Sequence, residues 1–97
     1  MNDLTLQQFL PHLNETFAAI FGEAERSFVL VEAKPISAPD AQDLAREPFS
    51  LLFFCETPEV LPQGIYRLRH PDIGEADVFL VPVARQAGGF VYQAIFN

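Results

Sequence analysis

Apolar positions recur at helical spacing in one stretch near the start of the chain, at Leu6, Phe9, Leu10 and Leu13. Thr5 followed three places later by Gln8 has the form of a capping box, so a short N-terminal helix is predicted to begin there. Pro11 lacks an amide hydrogen and clashes with the preceding turn, which stops the helix by Leu10. Asn14 adopts a left-handed conformation cheaply and turns the chain out. From there the period changes to two. Phe17, Ala19 and Phe21 lie on one face of a strand over residues 15–22, and Gly22 with the polar residues 23–26 forms a turn. A second strand over 27–34, rich in β-branched and aromatic residues, completes an antiparallel hairpin. Residues 37–48 contain two prolines and three acids and form the longest connection, with one helical turn around 41–46.

Four further strands are predicted, over 49–56, 65–70, 75–83 and 90–97. "LPQGIYRLRHP" reads as turn, strand and turn: Ile65, Arg67 and Arg69 point one way, and Tyr66, Leu68 and His70 the other. "PDIG" and the pair Gly88–Gly89 mark tight reversals. The expected fold is all-β: a six-stranded antiparallel meander forming a small barrel or roll, with a long crossover only before the third strand. One short N-terminal helix acts as a lid, and residues 1–97 make a single domain.

Two strands depart from simple alternation. In "FSLLFFCE", Leu52 and Phe54 join the wholly apolar set Phe49, Leu51, Phe53 and Cys55; in "DVFLVPV", Phe79, Val81 and Val83 stand opposite Val78 and Leu80. A closed sheet hides only its interior, so the second faces need a cover. The N-terminal helix is expected to lie over part of the outside, and a second protomer or a protein partner over the rest, giving a homodimer or stable complex. The interface candidates are Leu52, Phe54, Phe79 and Val81, with Arg67 and Arg69 beside them.

Composition narrows the function classes. Thirteen acids against six basic residues give a net charge of −7, and no Lys/Arg cluster offers phosphates a neutralising surface, so nucleic acid is not an expected partner. The first ten residues have neither a basic n-region nor a long apolar core, and "LLFFC" is too short to cross a bilayer. No membrane partner and a cytoplasmic location are expected. A single cysteine fits a reducing compartment.

Candidate chemistry is sparse. His70 could serve as a base or ligand, but His–Pro–Asp at a strand end is better read as a turn in which the imidazole bonds a loop backbone. Cys55 sits among phenylalanines, where a thiol is desolvated and poorly nucleophilic. Asp72, Glu75 and Asp77 flank a turn, their spacing fits no loop with full calcium or magnesium coordination, and the sequence offers no partner His or Cys set for zinc. Arg67 and Arg69 are expected to pair with Glu75 or Asp77 across the hairpin. Gly88–Gly89 precedes no helix that could hold a phosphate, and Ser50 lacks a nucleophile elbow. No catalytic residue, metal or cofactor is expected.

"FSLLF", "LPQGIYRLRHPDIGEADVFLVPV" and "YQAIFN", together with "HLNETF" near the start, resemble a family of small bacterial proteins known only as a domain of unknown function. In "HLNETF" the asparagine stands where glycine is common. The resemblance implies no activity or site residue. It does imply a frequent genomic position beside phage-tail-collar-like proteins. The expected function is therefore a non-enzymatic protein interaction or assembly module, such as an adaptor or chaperone for a tail-like fibre protein. The alternative is a small-molecule binder or enzyme with a pocket near Tyr66, His70 and Tyr92.

Overall fold

The computed structural model describes residues 4–21, 23–36 and 48–96. Helix α1 (Leu6–Phe9) leads into a 3₁₀ turn (Leu10–His12) and six strands: β1 (Thr16–Phe21), β2 (Ala24–Pro35), β3 (Phe49–Glu56), β4 (Gly64–His70), β5 (Gly74–Gln86) and β6 (Gly89–Phe96). The strands are antiparallel and close into a barrel in the order β1-β2-β3-β6-β5-β4. The all-β barrel matches the sequence reading, but the strand order is not a simple meander. β1, β2 and β3 follow one another, and β4 returns beside β1, where Ala19 faces Leu68. This is a Greek-key arrangement.

The crossover accordingly lies in residues 57–63, between β3 and β4, and not before β3. β2 and β3 are neighbours, and the Ile36 amide donates to the Pro48 carbonyl at 2.9 Å, which closes the base of the excursion between them. The helical turn expected around 41–46 lies outside the described residues. The first hairpin is tighter than expected, because Phe21 already faces Ala24. The polar residues assigned to the turn belong largely to the strand, where Glu25 and Arg26 are exposed.

Alternation puts one residue in two inside. Phe17 and Ala19, Phe28 and Leu30, and Phe49, Leu51, Phe53 and Cys55 are all 0–1% exposed, and Tyr66, Leu68, Val78, Leu80, Tyr92 and Ala94 complete the lining. Aromatic rings run through this interior in sequence: Phe9 to Phe17 at 6.1 Å, Phe17 to Phe53 at 5.5 Å, Phe53 to Phe28 at 6.3 Å, and Phe28 to Tyr92 at 5.2 Å between centroids. Each buried phenylalanine contributes roughly 1.5–3 kcal/mol, so this column is the main cohesive element of a small domain.

The N-terminal segment does not lie over the outer wall, which corrects the expected lid. Leu6 and Phe9 belong to the interior cluster, and Phe9 packs on Phe17, Phe49 and Phe96, so the segment plugs one open end of the barrel. The physical reason is that an open barrel end exposes ring edges from several strands at once, and a four-residue helix fits that opening. Gln8 caps the helix by accepting the Thr5 amide at 2.8 Å. Pro11 ends the α-helix as expected but is tolerated in the first turn of the 3₁₀ segment, and Asn14 turns the chain at φ 71°.

Candidate functional site

At the opposite end, two tyrosines close the barrel. The Tyr92 hydroxyl accepts the Leu61 amide at 2.8 Å, and the Tyr66 hydroxyl donates to the Pro62 carbonyl, so both phenols pin the 57–63 crossover from inside. Burial raises both phenol pKa values. His70 is the last residue of β4 and stands at the plugged end. Tyr66, His70 and Tyr92 therefore line no common pocket: the antiparallel barrel carries His70 away from the two hydroxyls, which are already committed to holding the backbone.

His70 is instead part of a cluster the sequence did not reveal. Its Nε2 lies 2.8 Å from Glu15 Oε1, and the same oxygen is 2.8 Å from Nδ1 of His12. The two imidazole rings are 4.4 Å apart. His70 is only 5% exposed and packs on Phe17 with centroids 4.6 Å apart. Its Nδ1 accepts the Asp72 amide at 3.1 Å, which is the loop-backbone bond expected of a His–Pro–Asp turn. Hydrogen bonds from His70 and then His12 lower the Glu15 pKa below the usual carboxylate range. One ligand atom each of His12, His70 and Asp72 fall within 4.8 Å of one another, so a second histidine does join this turn. His12 escaped notice because Glu15 and His70 are 55 residues apart and meet only where β4 returns beside β1.

The six interface candidates all lie on the outer wall, in two unlike halves. Leu52 and Phe54 on β3 are half-buried, and Phe54 faces Val91 of β6, itself only 4% exposed. This half is partly covered by the chain's own side chains. On β5, Val81 is half-buried but Phe79 is 51% exposed, and directly across the β4–β5 ladder Ile65 is 71% exposed. Ile95, two residues beyond the Val81–Gln93 pair on β6, and Val83 are exposed as well. Ile65 stands alone among the arginines of its strand's outward set, and Ile95 shares its set only with the buried Val91; the barrel register brings both beside Phe79.

Arg67 and Arg69 border this patch. Arg67 Nε donates to Asp77 Oδ1 at 3.1 Å, the expected cross-strand pair, and this bond raises the guanidinium pKa. Arg69, which faces Glu75 across the β4–β5 ladder, reaches over β1 to donate to Glu25 Oε1 on β2 at 3.2 Å. Both pairs are solvent-exposed and contribute little to stability.

Cys55 faces inward at 1% exposure, and burial pushes its thiol pKa up. An aromatic disulfide reagent is expected to leave the folded protein unmodified and to titrate one thiol per chain in denaturant; rapid labelling under native conditions would contradict this placement.

Among the described residues, no helix is long and apolar enough to cross a membrane. No curated protein and no solved structure matches the chain. Residues 4–96, which span the whole barrel together with its N-terminal plug, match the family described as Domain of unknown function (DUF6916), and the chain belongs to that family.

Proposed function

We propose that the protein is a non-enzymatic interaction module that docks a second copy of itself or a protein partner through the outer wall of β4, β5 and β6. The observation that carries this reading is the facing pair Ile65 and Phe79, 71% and 51% exposed on a regular ladder, with Ile95 and Val83 nearby. Side chains in a rigid sheet cannot fold away from water, so an apolar cluster of this kind is a standing source of association free energy. The ion-paired arginines at its border suit an interface rim, where paired charges favour register more than affinity. The acidic surface makes a nucleic-acid partner unfavourable.

The genomic company implied by the family resemblance points to a partner of the phage-tail-collar type, for which the barrel would act as an adaptor or assembly chaperone in the bacterial cytoplasm. Light scattering is expected to show a dimer at tens of micromolar, or else a monomer that co-purifies with such a fibre subunit. Ile65→Asp combined with Phe79→Asp is expected to abolish either association at an unchanged melting midpoint, since neither side chain supports the core. A wild-type monomer that retains the same proteins as the double variant would end this reading.

A further inference from the structure

We propose that His12, Glu15, His70 and Asp72 bind one divalent ion of the Zn²⁺ class, fastening the N-terminal plug to the end of β4. Each group comes from a different piece of chain: the 3₁₀ turn, the link into β1, the last residue of β4 and the turn into β5. Two imidazoles with two carboxylates form a mixed nitrogen and oxygen set. Such a set suits zinc and its neighbours, whereas calcium and magnesium prefer oxygen alone. Four protein groups leave no position open for a substrate, which makes the site structural rather than catalytic.

The spacing brackets what a metal requires. Tetrahedral zinc with ligands at about 2.0–2.2 Å holds them about 3.4 Å apart. Here the Glu15 oxygen is 2.8 Å from both ring nitrogens, and the His12, His70 and Asp72 atoms lie within 4.8 Å of one another. Modest shifts bring His12, His70 and Asp72 into range, and Glu15, which touches both rings but stands outside that group of three, completes the set by swinging its exposed side chain toward Asp72. The adjustable members are Glu15 and Asp72, which are exposed; His70 is fixed by burial against Phe17. A preset imidazole in an apolar wall, with exposed carboxylates around it, is a frame for an ion to tighten.

Protons must be rearranged on binding. The Asp72 amide donates to Nδ1 of His70, so the ring proton sits on Nε2 and is donated to Glu15. Metal on Nε2 replaces that proton, which moves to Nδ1, and the Asp72 amide passes to water at the exposed turn. This exchange weakens binding relative to a prebuilt zinc site, and it places the stabilisation where the plug meets the barrel.

The test uses the full chain, with Zn²⁺ followed by calorimetry and Co²⁺ by its visible absorption. The expected results are one Zn²⁺ per chain in the presence of excess Mg²⁺, a tetrahedral Co²⁺ band, and a melting midpoint raised by Zn²⁺. His12→Ala is expected to weaken Zn²⁺ binding at least about 10-fold and to remove the band. Asp72→Asn, a second exposed-turn variant, is expected to weaken it while leaving the metal-free midpoint in place. Equal Zn²⁺ binding by wild type and His12→Ala, or no Co²⁺ band with a midpoint unmoved by Zn²⁺, would overturn the proposal. Either result would leave the cluster a proton-bridged clamp.

Discussion

Gly89→Ala is expected to destabilise the protein by about 3 kcal/mol, near the upper end for overpacking. A Cβ at this position would lie 2.2 Å from the Cys55 carbonyl oxygen and 2.9 Å from the Glu56 Cα. These are backbone atoms of the paired β3 strand, where Glu56 faces Gly89, so no rotamer change can relieve the overlap. The Phe54 ring also lies 2.9 Å from the added atom, covering the glycine from the outside. Relief requires β3 and β6 to separate at the end where the barrel also carries its crossover. For a domain of this length the thermal midpoint should fall by roughly 12 °C or more. Gly88→Ala provides the comparison. Gly88 has φ +88° but only Glu56 Oε2 near its Cβ direction, at 3.9 Å, so its cost is the left-handed backbone alone, about 1 kcal/mol. If Gly89→Ala melted no lower than Gly88→Ala, the close approach of β3 and β6 would be refuted.

That close approach also shows what local patterning could and could not convey. Period-two alternation in "IYRLRH" sets Tyr66, Leu68 and His70 on one face, and all three are buried. Alternation is a property of one strand, fixed by its own side chains. Strand order is not. β3 and β6 pair over eight positions, from Phe49 opposite Phe96 to Glu56 opposite Gly89, yet nothing in either segment names the other as neighbour. A meander is the shortest-loop guess. The barrel instead sends residues 57–63 across its end, with Tyr66 and Tyr92 holding that crossing in place.

The site was legible in proportion to how local it was. The turn role of His70 could be read from His–Pro–Asp, because Asp72 is two residues away. Its partnership with His12 through Glu15 could not, because it depends on β4 closing against β1 and on the plug folding over that end. The outer wall behaved similarly. Leu52 and Phe54 were correctly recognised as a second apolar face, but their cover includes the chain's own Val91, opposite Phe54 on β6. The truly open pair, Ile65 and Phe79, is defined by register across the β4–β5 ladder.

Phe53→Ala and Phe79→Ala remove the same atoms and are expected to differ most in consequence. Phe53 is 0% exposed and joins Phe17 to Phe28 in the ring column, at 5.5 and 6.3 Å. Its loss removes the ring's transfer free energy and leaves a cavity that the surrounding strands, closed in a barrel, can shrink only slightly. The expected cost is about 3–5 kcal/mol, measured as a lower denaturant midpoint at a similar slope. Phe79 lies one strand position before the buried Leu80 but points outward at 51% exposure, so truncation should change stability by less than about 0.5 kcal/mol. The same outward variant is expected to weaken self-association or partner retention, because the ring contributes contact area there and not cohesion inside. Comparable losses of stability in the two variants would mean that Phe79 is covered within the chain itself. The apolar wall would then be a second core layer, and the interaction reading would lose its surface.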